Sequence, residues 1–216
     1  MVVDKIYEWS KQNLNSSEPS KGVRCSSMGE DCSRKIWYEA NNILPPEEVS
    51  GRIARLLNRG SLEEFRFIDA LEGIGCIVYD QQKKLVALDG KLTGHIDGMV
   101  NINGVPYLVE FKTHNEKSFN NLVKRGVEKS NFRHFVQMQL YMGLIPVERG
   151  LYLAVNKNTD ELYEEVIGFN HTFFEAQVAK AARIIDSESE PVRLYDDPDF
   201  YQCKLCRFRK LCHGIA

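Results

Sequence analysis

The sequence contains no run of about 18 consecutive apolar residues, so it offers no helix able to cross a bilayer. Its first residues, MVVDKIYEWSKQNL, carry acids and no apolar core of the signal-peptide type, so the start does not read as a secretory leader. Charge of one sign is not in excess. Lys and Arg number 28 against 30 Asp and Glu, a formal net charge of −2. That balance excludes binding of a polyanion over the whole surface and leaves room for a local basic groove. A glycine-rich phosphate loop is missing, which excludes a nucleotide-driven motor. Gly73-Ile74-Gly75 lacks a third glycine and precedes a strand, so it is no dinucleotide fingerprint. Internal repeats and low-complexity segments are absent. The six cysteines, in a chain without a leader, read as thiols or metal ligands before disulfides.

What is present suits one large globular domain: 216 residues, 43% hydrophobic and 27% charged. Residues 2–14 read as a helix and 15–24 as a polar loop. A short helix over 31–43 has Asp31 as its cap and Pro45-Pro46 behind it. Residues 47–72 carry a helical pattern interrupted near Arg59-Gly60-Ser61, which predicts two helices. Short β runs follow at Gly75–Asp80 and Leu85–Leu88, with a longer β segment over 94–112. Residues 115–145 are helical in two pieces split near Ser130-Asn131. Two strands, 150–156 and 161–168, precede a helix over 171–186. From Ser187 the chain is polar and turn-rich. Strands and helices alternate, so the fold class is α/β or α+β.

Asn103-Gly104 is a strong two-residue hairpin signal. With Ile102 facing Val105, Asp97 falls opposite Glu110, and His95 opposite Lys112. One face then carries Ile96, Val100, Ile102, Val105, Tyr107, Val109 and Phe111, and the other His95, Asp97, Glu110 and Lys112. A slip of one residue would exchange the two sets. Facing Cβ atoms lie ~5 Å apart. Two carboxylates at that separation repel unless a cation lies between them, and Mg²⁺ accepts carboxylate oxygens at ~2.1 Å.

Asp97 followed by Glu110-Phe111-Lys112 resembles the D…E-x-K signature of the PD-(D/E)XK nuclease superfamily. Gln137 and Tyr141, four residues apart and so on one helix face, resemble the Q-x-x-x-Y element of its RecB-like branch. Gly60-Ser61-Leu62-Glu63-Glu64 resembles that branch's first motif and makes Glu64 the site acid, with Glu63 its competitor. The resemblance implies a restriction-endonuclease-like core, a mixed sheet flanked by helices. It implies Asp97, Glu110, Glu64 and the Phe111 carbonyl as ligands of Mg²⁺ or Mn²⁺. Lys112 is to orient or deprotonate the attacking water, and Gln137 and Tyr141 are to hold Lys112 and the phosphate. His95 reads as a surface or supporting residue.

Cys203-x2-Cys206-x5-Cys212 is a compact ligand set that suits zinc or iron–sulfur equally on spacing. Cys32, in Cys32-Ser33-Arg34-Lys35-Ile36-Trp37-Tyr38, resembles the N-terminal cysteine segment of the CRISPR-adaptation exonucleases and other iron–sulfur RecB-like nucleases. It implies a 4Fe-4S cluster on Cys32, Cys203, Cys206 and Cys212 joining the two ends of the chain. Cys25 in place of Cys32, or zinc completed by His213, remain the alternatives. Cys76 reads as a small buried hydrophobe.

These resemblances imply one nuclease domain over 1–216. It comprises an N-terminal segment over 1–46, a core over 47–186 and a cysteine-rich segment over 187–216. The implied activity is metal-dependent DNA exonuclease action on single strands or ends, in recombination, repair, phage DNA metabolism or spacer processing. A structure-specific endonuclease, a non-catalytic DNA-binding subunit and a zinc nucleic-acid-binding protein are the rival readings. Implied partners are DNA and a recombination or CRISPR-adaptation protein, with self-association left open and no membrane. The implied location is the cytoplasm of a bacterial, archaeal or phage-infected cell. The DNA path is sought at Arg34 and Lys35, along 117–133 with Lys124, Arg125, Lys129 and Arg133, and at Lys204, Arg207, Arg209 and Lys210. Phe119, Phe132 and Tyr201 are the candidate base-stacking rings.

Overall fold

A computed structural model describes residues 1–14 and 21–215. Within it five strands form the principal sheet, in the order β2 (Ile77–Tyr79), β5 (Gly98–Ile102), β6 (Val105–His114), β7 (Arg149–Asn156) and β8 (Leu162–Gly168). Strands β6 and β7 run parallel and the other pairs antiparallel. A parallel pair needs a crossover, supplied here by α4 (Glu116–Ser130) and α5 (Phe132–Leu144). A smaller sheet joins β1 (Val23–Arg24), β4 (Leu92–His95) and β3 (Lys84–Ala87). The predicted mixed sheet flanked by helices is what the chain forms.

The hairpin register holds, with Ile102 opposite Val105 and Gly98 opposite Val109. Asn103 and Gly104 both take positive φ, 53° and 84°, as a type I′ turn requires. The register does not extend to His95. That residue belongs to β4, where it pairs with Lys84, so it does not face Lys112. The chain changes sheets at Ile96-Asp97, and Ile96 packs with the core on the opposite side from Val100.

Both faces of the principal sheet are covered. On one, Phe67 and Leu71 of α3 (Gly51–Gly73) meet Val100, Val109, Phe111, Leu151 and Val155. On the other, Met99, Leu108 and Tyr152 meet Val136, Met138 and Leu140 of α5, and beyond them Ala181 and Ile184 of α6 (His171–Ile185).

The expected break near Gly60 does not occur, and α3 is one helix of 23 residues. A glycine inside a helix weakens it by only about 1 kcal/mol and makes no clash. The apolar residues Ala54, Phe67 and Leu71, buried on both sides of it, hold the helix together. Ser50 caps its start by accepting from the Ile53 amide at 3.3 Å. The second predicted helix is α2 (Ser33–Ala40); Cys32, not Asp31, holds its N-cap position and makes no side-chain cap bond.

The C-terminal segment, with α7 (Tyr201–Lys204) and α8 (Arg209–His213), docks on α2. Arg34 Nε donates to the Pro191 carbonyl at 2.5 Å, Trp37 Nε1 donates to that of Ser187 at 3.0 Å, and Phe208 stacks on Tyr38 at 5.0 Å.

Phe67 lies parallel to Phe111, centroids 5.2 Å apart, directly behind Glu110 and Lys112. Replacing Phe67 by Ala is expected to cost about 3–5 kcal/mol. A urea denaturation curve whose midpoint does not fall would contradict this placement.

Candidate active site

Glu110 and Lys112, two residues apart on β6, point to the same face of the sheet. Glu110 is fully buried and Lys112 is 26% exposed, and their side chains form an ion pair. Lys112 Nζ also donates to the Phe111 carbonyl at 3.1 Å. Asp97 sits on the bend before β5, and its Oδ2 accepts from the Phe111 amide at 2.8 Å. This contact brings Asp97 alongside Glu110. From α5, Gln137 Nε2 donates to Glu110 Oε1 at 2.9 Å and to the Tyr141 hydroxyl at 3.3 Å. Gly94 makes room for that tyrosine, since a Cβ there would stand 2.4 Å from its ring.

Glu64 faces this group from α3 and accepts from Gln82 Nε2 at 3.1 Å. Its neighbour Glu63 lines the same cleft, but both of its oxygens accept from Arg66 Nη1 at 3.0 Å. The structure thus brings Glu64, Asp97, Glu110, Lys112, Gln137 and Tyr141 together and leaves out Glu63 and His95. A cleft of about 990 Å³ opens onto Glu64, Phe111 and Lys112.

Three carboxylates surround one ammonium, and the electrostatics follow. Burial first, then the nearby Asp97 charge, pushes Glu64 up to about 7. Burial pushes Glu110 up to about 7 against the pull of Lys112, and Asp97 is raised chiefly by burial too. Burial pulls Lys112 down, but Glu110 and Asp97 outweigh it and hold its proton firmly. The cluster is short of positive charge. Glu110 Oε2, fully buried, has no hydrogen-bond partner among the described residues. An unpartnered carboxylate oxygen beside two further acids is the setting a divalent cation fits. Among the described residues, no three His, Cys, Asp or Glu side chains are drawn into a closed metal site.

A second network escaped sequence reading. His114 Nε2 and His134 Nδ1 each lie 2.9 Å from the Tyr152 hydroxyl, and His114 Nδ1 lies 2.9 Å from Ser118 Oγ. One hydroxyl proton serves two imidazoles, so Tyr152 donates to one and accepts from the other. Both rings are neutral, since burial and then Lys112 lower them, His134 to about 3. The chain ties β6, β7 and α5 together beside Glu110. The available signal was parity, because His114 follows Glu110 and Lys112 in steps of two.

Cys32, Cys203, Cys206 and Cys212 line one pocket between α2, α7 and α8. All are free thiols, and Arg34 Nη1 donates toward Cys212 Sγ at 3.7 Å. Cys25 is not among them. It is buried in the core, where desolvation pushes its thiol up to about 12. Cys76 is half-buried against the α3 side of the sheet.

Half of the expected basic path is paired within the protein, five cations of ten, while Lys124, Arg125, Lys129, Lys204 and Lys210 make no ion pair among the described residues. Arg34 pairs with Glu190 at 3.1 Å, Lys35 with Glu30 at 2.6 Å and Arg133 with Glu30. Arg209 pairs with Asp199 at 2.6 Å, and Arg207 binds the Pro45 carbonyl. Phe119 is buried edge-on to Tyr163 and offers no face to a base, whereas Phe132 and Tyr201 are exposed.

No family model and no curated protein matches this chain. Solved structures do. It is similar to SSO0001, with a TM-score of 0.60 at 18% identity over 100% of this chain and 98% of that one. It is similar to the alkaline exonuclease LHK-Exo from Laribacter hongkongensis, with a TM-score of 0.58 at 14% identity over 82% of this chain and 90% of that one. A phage-related exonuclease from Haemophilus somnus 129PT gives a TM-score of 0.55 at 12% identity, over 76% and 92%. The chain therefore has the fold of these exonucleases.

Glu64 and Glu110 bind protons more tightly in the fold than in an unfolded chain, where Glu titrates near ~4.3. Between about pH 4.5 and 7 the native state holds the extra protons, so its stability falls as pH rises through that window. The metal-free thermal midpoint is expected to drop there, with a shallower drop in Glu110→Gln. Equal slopes in the two proteins would disprove the assignment.

Proposed function

We propose that this chain is a metal-dependent deoxyribonuclease, an exonuclease acting on single-stranded or end-exposed DNA. The reading rests on three carboxylates around one ammonium, with the Glu110 Oε2 atom unpartnered among the described residues, beside an open cleft that Glu64, Phe111 and Lys112 line. The fold shared with exonucleases supports it, and the LHK-Exo structure was also solved with dAMP. Asp97, Glu110, Glu64 and the Phe111 carbonyl would hold Mg²⁺ or Mn²⁺. Such an ion, when bound, supplies Lewis-acid activation of water and charge for the phosphate.

The chain's own residues do the rest. Lys112, held protonated by its carboxylates, serves as a donor that orients water and offsets phosphate charge. Gln137 fixes Glu110 through its amide and so keeps Oε2 turned away from Oε1's partners. Tyr141, which burial and then Glu110 hold firmly protonated, backs Gln137 and never acts as a base.

The four pocket cysteines supply a second, structural site, which we assign to a 4Fe-4S cluster. Four free thiols on one pocket are the right donor set. Burial and then the neighbouring sulfurs raise the Cys203 thiol, so a metal that takes thiolates relieves the crowding. The setting of these activities in recombination, phage DNA metabolism or CRISPR adaptation follows from resemblance alone.

With Mg²⁺ or Mn²⁺, end-labelled linear DNA is expected to be degraded while circular single strands stay intact. Asp97→Asn and Glu110→Gln are expected to lose at least about 10²-fold in rate, the scale of a lost electrostatic contributor. Either variant cutting at the wild-type rate would end the site assignment, and cut circles would favour an endonuclease. Anaerobically purified protein is expected to hold four irons per chain; zinc without iron would exclude the cluster.

A further inference from the structure

Between α1 (Val2–Gln12) and α3 lies a groove of about 550 Å³ that no sequence motif marks. Its wall holds four cations, Arg52, Arg55, Arg59 and Lys157, and among the described residues no acidic side chain. In a chain of net charge −2, such a wall is selective for an anion. Among the described residues none of the four makes an ion pair. This contrasts with Arg34, Lys35, Arg133 and Arg209, each of which does. Arg59 gives one donor to the Lys157 carbonyl at 3.1 Å and keeps the others.

The groove runs into the catalytic cleft, because Leu56, Arg59, Leu62 and Lys157 line both. Arg52, Arg55 and Arg59 recur at three- and four-residue steps, so they form one stripe along α3. The stripe covers about 10 Å of helix axis at ~1.5 Å per residue, and Glu64 lies about 7 Å further on. One helix therefore carries both the cationic stripe and, further along its axis, an acid of the candidate centre.

The other surface of the groove is apolar and exposed. Trp9 of α1 is 60% exposed, and Leu56 and Leu62 of α3 are 48% and 55% exposed. A ring face beside a row of cations matches a chain of phosphates carrying unpaired bases, which stack on aromatic side chains. A duplex keeps its base faces inside and would leave Trp9 without a role.

We propose that the α1–α3 groove is a single-strand DNA binding site. Its strand leads into the cleft, with phosphates on Arg52, Arg55, Arg59 and Lys157 and a base on Trp9. The proposal deepens the nuclease reading and rests on it for the strand's destination. A protein partner or a second copy of this chain is the competing occupant, and the test separates them.

The probes are fluorescein-labelled oligo-dT of six and twelve nucleotides and a twelve-base-pair duplex. Binding is read by anisotropy in EDTA across a salt series, on wild type, Arg52→Gln/Arg55→Gln, Trp9→Ala, and a control with equal charge loss outside the groove, Lys84→Gln/Lys91→Gln. Wild type is expected to favour the longer single strand over the shorter one and over the duplex. The arginine pair is expected to flatten the length dependence and to reduce the salt slope by about 1.4, two contacts at ~0.7 each. Trp9→Ala is expected to weaken binding at least about fivefold, the smaller end of one base stack. The control is expected to bind as wild type does.

Groove variants that bind like the control overturn the proposal, as does a duplex bound as tightly as the single strand. If light scattering instead shows that the groove variants lose an oligomer while oligonucleotide binding is unchanged, the groove is a protein interface and the proposal falls. Because binding is read without metal, the two readings fail separately. A protein that binds through the groove yet cuts nothing sinks the nuclease reading. A protein that cuts DNA while its groove variants bind normally sinks the groove alone.

Discussion

The ion pair of Glu110 with Lys112 is the interaction around which this protein is organised. A carboxylate with no solvent exposure is expensive to bury, by several kcal/mol per ion, and removal of one partner leaves the other uncompensated. One oxygen of Glu110 is satisfied by Lys112 and Gln137, and the other is not satisfied at all. A structure tuned for stability alone would place an apolar residue at that point of β6, between Val109 and Phe111. The arrangement makes sense as a place kept ready for a cation, at a cost borne by the packing around it.

That packing is rigid on every side. Phe111, between Glu110 and Lys112 on β6, stacks on Phe67 of α3. Asp97 is tied to the backbone of the same strand. Gln137 and Tyr141 come from α5, which enters the core with five apolar or aromatic side chains and presses against β4 at Gly94. The Ser118–His114–Tyr152–His134 chain adds uncharged hydrogen bonds between the strand and the same helix. Neutral links are the suitable kind here, because a further cation would compete for the carboxylates and a further anion would raise them more.

Sequence reading reached the parts of this site that local rules determine. Asn103-Gly104 dictates its turn through two positive φ angles, the turn sets the register as far as Gly98 opposite Val109, and the Phe111 amide then holds Asp97 beside Glu110. Gln137 and Tyr141 are singled out by resemblance, and helical spacing puts them on one face. Where the rules fail, a distant partner decides. His95 was expected opposite Lys112, but the chain crosses to a second sheet at Ile96, which only the packing of β3 and β4 requires. The break near Gly60 was expected because propensity ignores the sheet against which α3 lies. Tyr152 enters the site from a strand forty residues beyond Glu110, and nothing in its own neighbourhood marks it. Cys32 and the three C-terminal cysteines do converge on one pocket, through the docking of the tail on α2.

Charge shows the same division more sharply. The cations that stand out in the sequence cluster near α2, in the crossover and in the tail, and several of them have acids waiting in the fold. Glu30 alone takes both Lys35 and Arg133, from segments a hundred residues apart. Their function is to hold the N-terminal segment to the crossover helices, and their contribution to an external field is correspondingly small. The arginines of α3 lie in an unremarkable amphipathic stretch, yet they face a groove with no acid on its wall among the described residues. A field that reaches solvent comes from charges without internal partners. For a protein with two more acids than bases, any attraction for a polyanion has to be concentrated where such charges line up, and the wall leading to Glu64 is one such place.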